Sequence, residues 1–181
     1  SVILSEGFDE GQLPVGWTII DYDGDGYNWD ASSWHGITTE VFSGQGMIAS
    51  ASYKYEVGAL APDNWLISPA IVVPDYAALS FYIKSQDEIY ADEYYSVYVS
   101  QVNTIEGFLE NPAVLTGVST SEWDWKTVDL GDYAGETVYI AFRHHNSSNM
   151  YWLDVDEVSV VGGASPFIML NTDSVHCGTV V

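Results

Sequence analysis

Hydrophobic and polar residues alternate one by one along three stretches in the middle of the chain. In residues 78–84, Leu79, Phe81 and Ile83 share one face, while the residues between them are mostly polar. Residues 94–100 and 137–143 repeat the same period of two, which is typical of a strand with one buried face. The pattern therefore predicts a half-buried antiparallel strand in each stretch.

Shorter apolar runs separated by Gly, Pro and Asp turns predict the remaining elements. Further strands are expected at residues 2–4, 17–20, 27–31, 46–52, 65–68, 125–130 and 155–161, and only residues 104–110 favour a short helix. Pro69 and Pro74 would confine the neighbouring strand to an edge or to strand ends. About ten short strands joined by such turns predict an all-β fold, a two-sheet antiparallel β-sandwich of the jelly-roll type.

The length of 181 residues fits one domain with a substantial core. The composition changes at Gly162-Gly163-Ala164-Ser165-Pro166, which is typical of a linker. We therefore expect one domain at residues 1–162, and a linker with the start of a following domain at 163–181. The single cysteine, Cys177, rules out an internal disulfide framework.

The chain is strongly acidic, with 26 Asp and Glu, four Lys and Arg, and a formal net charge of −22. This balance excludes a basic nucleic-acid-binding footprint and attraction to an anionic membrane surface. No apolar run approaches the length needed for membrane insertion. Bound divalent cations would relieve the self-repulsion of such a protein.

Residues 21–30 concentrate this negative charge. Asp21, Asp23 and Asp25 alternate with other residues, and Gly24 and Gly26 would let the backbone turn so that several oxygens converge. Such oxygens suit Ca²⁺, but the loop is not an EF-hand, because its twelfth position is Ser32 instead of Glu. The alternative is a pair of Asp-Gly turns that need no metal.

Several segments, in order, resemble the cleaved-adhesin domain of gingipain haemagglutinin regions and related Bacteroidetes surface proteins. They are 6–9 (EGFD), 13–17 (LPVGW), 21–29 (DYDGDGYNW), 49–52 (ASAS), 62–69 (PDNWLISP), 93–98 (EYYSVY), 141–145 (AFRHH) and 152–158 (WLDVDEV). The resemblance implies a secreted or surface β-sandwich with structural calcium, carried in a multidomain protein as an adhesin or carbohydrate-binding-like module. Residues 174–180 also resemble the start of an immunoglobulin-like repeat.

The resemblance also suggests further metal ligands. In the family's pattern, Asp63 and either Asp92 or Glu93 are expected near the Asp21–Asp25 loop.

A second calcium candidate would join the two ends of the domain, because the terminal strands of a jelly roll lie close together. Its residues are Glu6, Asp9, Asp154 and Asp156. The alternative for this set is exposed carboxylates on edge strands.

Seven Trp and 13 Tyr are too many for the core alone, and several fall in or beside predicted loops. Exposed aromatic rings flanked by Asp and Asn could stack on sugars, or they could pack beneath the long loops or form cross-strand pairs. Arg143 could recognise a ligand or pair with a nearby carboxylate. The candidate ligand-binding residues are Trp29, Trp34, Tyr90, Trp123, Arg143 and Tyr151.

The sequence contains no strong catalytic motif. It has no Gly-x-Ser-x-Gly elbow, and with 26 acids a pair at a workable separation carries no information. His144 and His145 are adjacent, so on a strand they point to opposite faces and cannot both bind one metal without a bulge.

We therefore expect a non-catalytic, calcium-stabilised adhesion module in a longer secreted or cell-surface (outer-membrane-associated) bacterial protein. It would be a monomeric module that binds a host or extracellular protein or glycan. The alternatives are an accessory carbohydrate-binding module of a secreted glycoside hydrolase or peptidase, and a hydrolase in its own right.

Overall fold

The structure, a computed structural model, describes residues 1–163. Thirteen strands, one short α-helix and one 3-10 helix make up this part of the chain. The strands are β1 Val2–Glu6, β2 Thr18–Asp21, β3 Ile48–Ala51, β4 Tyr53–Lys54, β5 Gly58–Ala59, β6 Asn64–Ile67, β7 Ile71–Val72, β8 Ala77–Ser85, β9 Tyr94–Ser100, β10 Leu115–Val118, β11 Asp124–Asp129, β12 Thr137–His144 and β13 Trp152–Gly162. The helix α1 is Ile105–Leu109, and the 3-10 helix is Gly131–Tyr133.

The strands form two antiparallel sheets and one separate hairpin. The first sheet has the order β1-β13-β8-β11, and β3 also pairs with β13; the second has the order β10-β9-β12-β6-β2, and β7 also pairs with β12. The early half of β13 pairs with β3 and its later half with β1. Strands β4 and β5 form the hairpin. The predicted all-β sandwich of jelly-roll type is confirmed.

The core lies between the two sheets. Leu79, Phe81 and Ile83 of β8 face it from the first sheet, and Val97 and Phe142 face it from the second. The predicted alternation on β8 is confirmed, because its residues are buried and half-buried in strict turn. The period of two therefore identified the inward face of these strands correctly.

The outward face of β9 is also buried at Ser96 and Tyr98, so the prediction of a half-buried strand is wrong there, whereas β12 alternates largely as predicted and buries only Ala141 on its outward face. Tyr98, Ala141 and Trp65 form a second apolar cluster with Ile105 and Phe108 of α1, which covers them. The helix begins where the side chain of Thr104 accepts a hydrogen bond from the Gly107 N–H. Local alternation cannot reveal a covering helix that comes from another part of the chain.

One local prediction is wrong, and another is met in one of its two forms. Residues 27–31 do not form a regular strand, and only an isolated bridge joins Asp30 to Ala49. The Asp30 side chain instead accepts hydrogen bonds from Ser32 and Ser33, which turns the chain there. Strand β6 is not an edge strand, since it pairs with both β12 and β2, but it ends before Pro69, as the proline required.

The two ends of the domain are adjacent, as predicted, because β1 pairs with β13. Most of the expected linker and following immunoglobulin-like segment, residues 164–181, lies outside the described residues. Within residues 1–163 no helix has the length and apolar character of a membrane span.

Candidate functional site

An open cavity of about 530 Å³ lies between the β4–β5 hairpin and the loop that follows β8. We call it the tyrosine cavity; its lining is Tyr53, Tyr55, Asp87, Tyr90, Asn149, Met150 and Tyr151. Tyr55 is 80% exposed and Tyr90 56% exposed, so two large rings stand at its rim in solvent. The cavity combines aromatic surface with a carboxylate and an amide, as ligand pockets commonly do.

Short-range hydrogen bonds hold the walls in place. Strands β4 and β5 pair Tyr53 with Ala59 and Lys54 with Gly58, and the tight turn between them places Gly58 at φ +105°. On the other side, Asp87 Oδ1 accepts hydrogen bonds from the backbone N–H groups of Ile89 and Tyr90, at 2.8 and 2.7 Å. This Asx turn presents the Tyr90 ring at the rim.

A chain of buried polar groups lies beside the cavity. Ser50 Oγ is 2.7 Å from His144 Nδ1, and His144 Nε2 is 3.2 Å from Glu93 Oε1. Ser52 Oγ donates to the same Glu93 oxygen at 2.6 Å. Ser52 also fixes the cavity wall, because its carbonyl accepts from Asn149 N and its Oγ from Met150 N. We call Ser50, Ser52, Glu93 and His144 the buried chain.

The connection of Ser50, His144 and Glu93 resembles a hydrolytic triad in its order of hydrogen bonds. All three residues are 0% exposed. A nucleophile must reach a substrate carbonyl, and an oxyanion needs donors beside it. A serine enclosed in the core cannot make that approach. The arrangement is therefore suited to holding β3, β12 and the segment that leads into β9 together.

A second cavity of about 220 Å³ lies on the other side of the hairpin. Residues 26–30 line it together with Ala51, Lys54 and Trp152. The Lys54 ammonium is 4.7 Å from the Trp152 ring centroid and 5.3 Å from that of Tyr27. Lys54 therefore points away from the tyrosine cavity.

The acidic loop brings three carboxylates together as predicted. Asp21, Asp23 and Asp25 each offer an oxygen within 4.8 Å of the others, the only such group of three or more His, Cys, Asp or Glu in residues 1–163. Gly24 and Gly26 have φ of +71° and +86°, so the predicted need for glycine is met. Burial, together with the charges of Asp25 and Asp21, raises the pKa of Asp23 to about 6.

The other residues expected at this loop do not join it. Asp63 donates its backbone N–H to Asp23 Oδ1 at 2.8 Å, but both oxygens of its own side chain accept from Arg143 at 2.8 Å. Glu93 belongs to the buried chain, and its neighbour Asp92 is exposed. The Arg143 hydrogen bonds, the largest lowering influence, hold the pKa of Asp63 below its usual value despite burial.

The second predicted metal set is also dispersed. Glu6 accepts from the backbone of Phe8, whereas Asp9 Oδ1 accepts from Gln45 N and Gly46 N. Asp156 Oδ2 accepts from Phe42 N and Ser43 N. Asp9 and Asp156 thus tie down the segment 42–46 from two sides. No three of the predicted four carboxylates meet within the distance that the acidic loop shows.

Asp154 has a different environment from the other members of that set. It is completely buried, and neither side-chain oxygen has a hydrogen-bond partner among the described residues. Its strand neighbour on β8 is Lys84. Burial raises the pKa of Asp154 well above its usual value, although the Lys84 charge opposes the shift.

The predicted ligand-binding residues fall into two groups. Tyr90 and Tyr151 line the tyrosine cavity. Trp29 lines the second cavity, but it is only 3% exposed and its Nε1 donates to Asn64 O, so it is mainly a core residue.

The others pack against the protein itself. Trp34 packs edge-on against Trp152, and Trp123 against Phe42. Arg143 pairs with Asp63, in agreement with the alternative that the sequence left open.

The sequence interpretation missed five of the seven cavity residues: Tyr53, Tyr55, Asp87, Asn149 and Met150. A signal was present in Tyr53-Lys54-Tyr55, because two tyrosines two apart share a face of a strand or hairpin. Asp87 and Asn149 carried no such signal, since their position depends on how two distant loops meet.

Comparison with known proteins identifies the family of this fold. The Cleaved Adhesin Domain family matches residues 1–160. Hemagglutinin A of Porphyromonas gingivalis is 36% identical over 90% of this chain and 7% of its own length, and Gingipain R1 of the same species is 38% identical over 87% and 10%. The chain thus spans a tenth or less of these curated relatives.

A solved structure agrees. The K1 cleaved adhesin domain of Lys-gingipain from Porphyromonas gingivalis W83 superposes with a TM-score of 0.80 at 34% identity, over 91% of this chain and 100% of that domain. The chain belongs to the cleaved adhesin domain family.

Proposed function

We propose that this domain is a non-catalytic adhesion module of a secreted or cell-surface bacterial protein, and that it binds an extracellular protein or glycan in the tyrosine cavity. The names of the relatives, an adhesin domain and a haemagglutinin, support adhesion. The observation that carries the proposal is the cavity itself, an open recess whose rim exposes Tyr55 and Tyr90 to solvent.

The non-catalytic part of the proposal rests on burial. The Ser50, His144 and Glu93 side chains have the hydrogen-bond order of a hydrolytic triad but are enclosed in the core. Arg143 and Asp63 neutralise each other in a bidentate pair. The polar groups that remain open at the cavity, Asp87 and Asn149, are suited to hydrogen bonding a ligand.

A cell-binding assay tests the site. Labelled domain would be added to washed erythrocytes, chosen because one relative is named a haemagglutinin. We expect Tyr55→Ala combined with Tyr90→Ala to reduce binding at least tenfold, because rim aromatics commonly dominate binding energy. Trp125→Ala, which removes an equally exposed ring from β11, is the matched control. Undiminished binding by the double variant would refute the site.

We also propose that Ca²⁺ stabilises the domain at Asp21, Asp23 and Asp25. The three carboxylates fit a hard cation, since their oxygens converge and burial raises the pKa of Asp23 in the absence of a neutralising charge. Backbone N–H groups of Gly24 and Gly26 orient the Asp21 carboxylate, at 3.0 and 2.8 Å. The backbone N–H of Asp63 donates to Asp23 Oδ1, so an ion bound at Asp23 would also stabilise the contact between this loop and Asp63.

Removal of calcium tests this part. We expect chelation to lower the melting temperature by several degrees, since an ion that binds only the folded state stabilises it by mass action. Protease cleavage within residues 21–30 should increase. Asp23→Asn with Asp25→Asn should abolish the calcium effect, whereas Asp75→Asn with Asp132→Asn, at exposed positions, should preserve it. A melting temperature that is the same with and without calcium would contradict the proposal.

The second candidate is an accessory carbohydrate-binding module. The favouring observation is that four tyrosine rings, Asp87 and Asn149 line one recess. The rings can stack on the apolar faces of a sugar while the polar side chains bond its hydroxyl groups. A glycan array with the native domain and the Tyr55/Tyr90 double variant would test it. Cavity-dependent retention of one neutral glycan class would favour this candidate over adhesion to protein.

A further inference from the structure

The tyrosine cavity has a charge that selects among ligands. Asp87 is the only acidic or basic residue in its lining. The two loops that form it also carry Glu56, Glu88 and Asp92, all exposed. The only cation on these loops, Lys54, is turned onto the Trp152 ring. With a formal charge of −22 on the whole chain, this recess attracts cations and repels anions.

The polar groups at the cavity are pre-oriented and have spare bonding capacity. Asp87 Oδ1 is held by the N–H groups of Ile89 and Tyr90, whereas Oδ2 has no hydrogen-bond partner within residues 1–163. Asn149 is fixed at φ +57° with its N–H bonded to Ser52 O, and its side-chain amide makes no hydrogen bond to the described residues. A carboxylate oxygen and an amide oxygen can together accept from a forked donor.

The rings add a second attraction for the same kind of group. Tyr53 and Tyr151 lie with centroids 6.4 Å apart and planes inclined by 48°, while Tyr55 and Tyr90 complete the wall. Aromatic faces carry negative potential and attract ammonium and guanidinium groups. Three of the four cationic side chains in this sequence, Lys54, Lys84 and Arg143, already lie over aromatic rings of the domain.

We propose that the tyrosine cavity binds an arginine side chain of a basic polypeptide segment. This proposal rests on the proposed function and specifies its ligand. The guanidinium would stack on a tyrosine face and donate to Asp87 Oδ2 and the Asn149 side-chain oxygen. Arginine fits better than lysine, because its planar group can stack and donate in a fork at the same time. The cavity volume of about 530 Å³ leaves room for the adjoining backbone.

Other ligand classes make less use of these features. A neutral sugar could stack on the rings but would gain nothing from the charge. An acidic sugar or nucleotide would meet Asp87 and the surrounding carboxylates with no cation in the lining to oppose them. Charge complementarity therefore favours the basic segment.

The test compares two peptides that differ in one charge. A blocked peptide with a single arginine between Gly and Ser residues would be titrated into ¹⁵N-labelled domain in excess Ca²⁺, beside the same peptide with citrulline. We expect the arginine peptide to shift the amide signals of residues 53–55, 87–90 and 149–151. It should bind about tenfold more tightly than the citrulline peptide, as a partly desolvated cation–π contact implies.

Matched variants separate the cavity from general attraction to an acidic protein. Asp87→Asn preserves the Oδ1 acceptor of the Asx turn and should reduce arginine binding several-fold. Asp132→Asn removes the same charge from the 3-10 helix near the far end of β8 and should leave it unchanged. Tyr90→Phe should retain binding and Tyr90→Ala should lose it, because the ring face is the binding element.

The results distinguish failure of the arginine proposal from failure of the proposed function. Three results would overturn the proposal. The arginine and citrulline peptides could bind equally, Asp87→Asn and Asp132→Asn could lose arginine-peptide binding equally, or the cavity could be occupied by a neutral oligosaccharide alone. If the arginine peptide fails but the Tyr55/Tyr90 double variant still loses cell binding, the adhesion site stands and only this ligand is refuted. If the double variant binds cells normally, the proposed function itself falls.

Discussion

The buried chain and the tyrosine cavity are built from the same three segments, yet they have opposite properties. Ser52 is buried and its neighbour Tyr53 lines the cavity; Glu93 is buried, three residues beyond the exposed Tyr90. In the buried chain, side chains of β3, of β12 and of the residues next to β3 and β9 bond to one another. In the cavity, Asp87 and Asn149 retain capacity for a ligand.

The two regions therefore differ in where their polar groups find partners: within the protein in the buried chain, and, under the proposed function, in a ligand at the cavity. Most polar groups removed from water find partners within the protein, and the hydrogen bonds of the buried chain fix the segments that carry it. Those strands then hold the loops, and the loops leave the rings of Tyr55 and Tyr90 largely in solvent, whereas Tyr151 also packs against Trp34 and Trp152. Ser50, His144 and Glu93 resemble a catalytic group but are suited to a structural role because they are buried. The candidate site is formed mainly by tyrosines.

The largest expected effect is the loss of His144. His144→Ala would remove the partner that Ser50 and Glu93 share and leave a void in the core, and each buried polar group left unsatisfied costs about 1–3 kcal/mol. We expect the melting temperature to fall on the order of 10 °C. Thermal unfolding followed by circular dichroism measures this, and His35→Ala, at an exposed histidine, is the control. A stable His144→Ala protein would mean that the buried chain is not the scaffold.

A second prediction concerns pH and the buried carboxylates on β13. Burial is the main cause that raises the pKa of Asp156 to about 7, against 3.8 when unfolded. The folded state therefore binds the proton more tightly, and this contribution is full below pH 3.8 and is lost as the pH rises towards 7. Asp154, and Asp23 with a pKa of about 6, act in the same direction.

One group opposes this trend. Burial lowers the pKa of His145 to about 4, so its contribution grows as the pH rises from 4 to 6.5. Because three carboxylates act against one imidazole, we expect metal-free protein to have a higher urea midpoint at pH 5 than at pH 8. Asp156→Asn should reduce this difference, and Asp87→Asn at the cavity should not. A midpoint that rises from pH 5 to pH 8 would contradict the prediction.

The sequence was sufficient for most of the scaffold. The period of two placed Leu79, Phe81 and Ile83 in the core, and the Asp-Gly spacing brought Asp21, Asp23 and Asp25 together, because both signals are local. Burial of the outer face around Tyr98 could not be predicted in the same way, since it depends on α1 folding back over β9.

The cavity was predicted only in part, for a related reason. Tyr90 and Tyr151 were recognised as loop aromatics, but Trp29 has the same local character and is buried. What separates them is whether another segment covers the ring. Arg143 and Asp63, 80 positions apart in the sequence, show the same limitation, because their pairing follows from the register of β12 and β6.

The smallest expected effect is on stability when the cavity rim is changed. Tyr55→Ser and Tyr90→Ser should each alter the free energy of unfolding by no more than about 0.5 kcal/mol, because both rings are largely in solvent and neither hydroxyl bonds to a residue of 1–163. Urea unfolding at constant Ca²⁺ measures this, with the partly buried Tyr151→Ser as the contrasting variant. If Tyr55→Ser or Tyr90→Ser lowers the free energy of unfolding as much as Tyr151→Ser does, that ring supports the loops. The ring would then belong to the scaffold and not only to the binding surface.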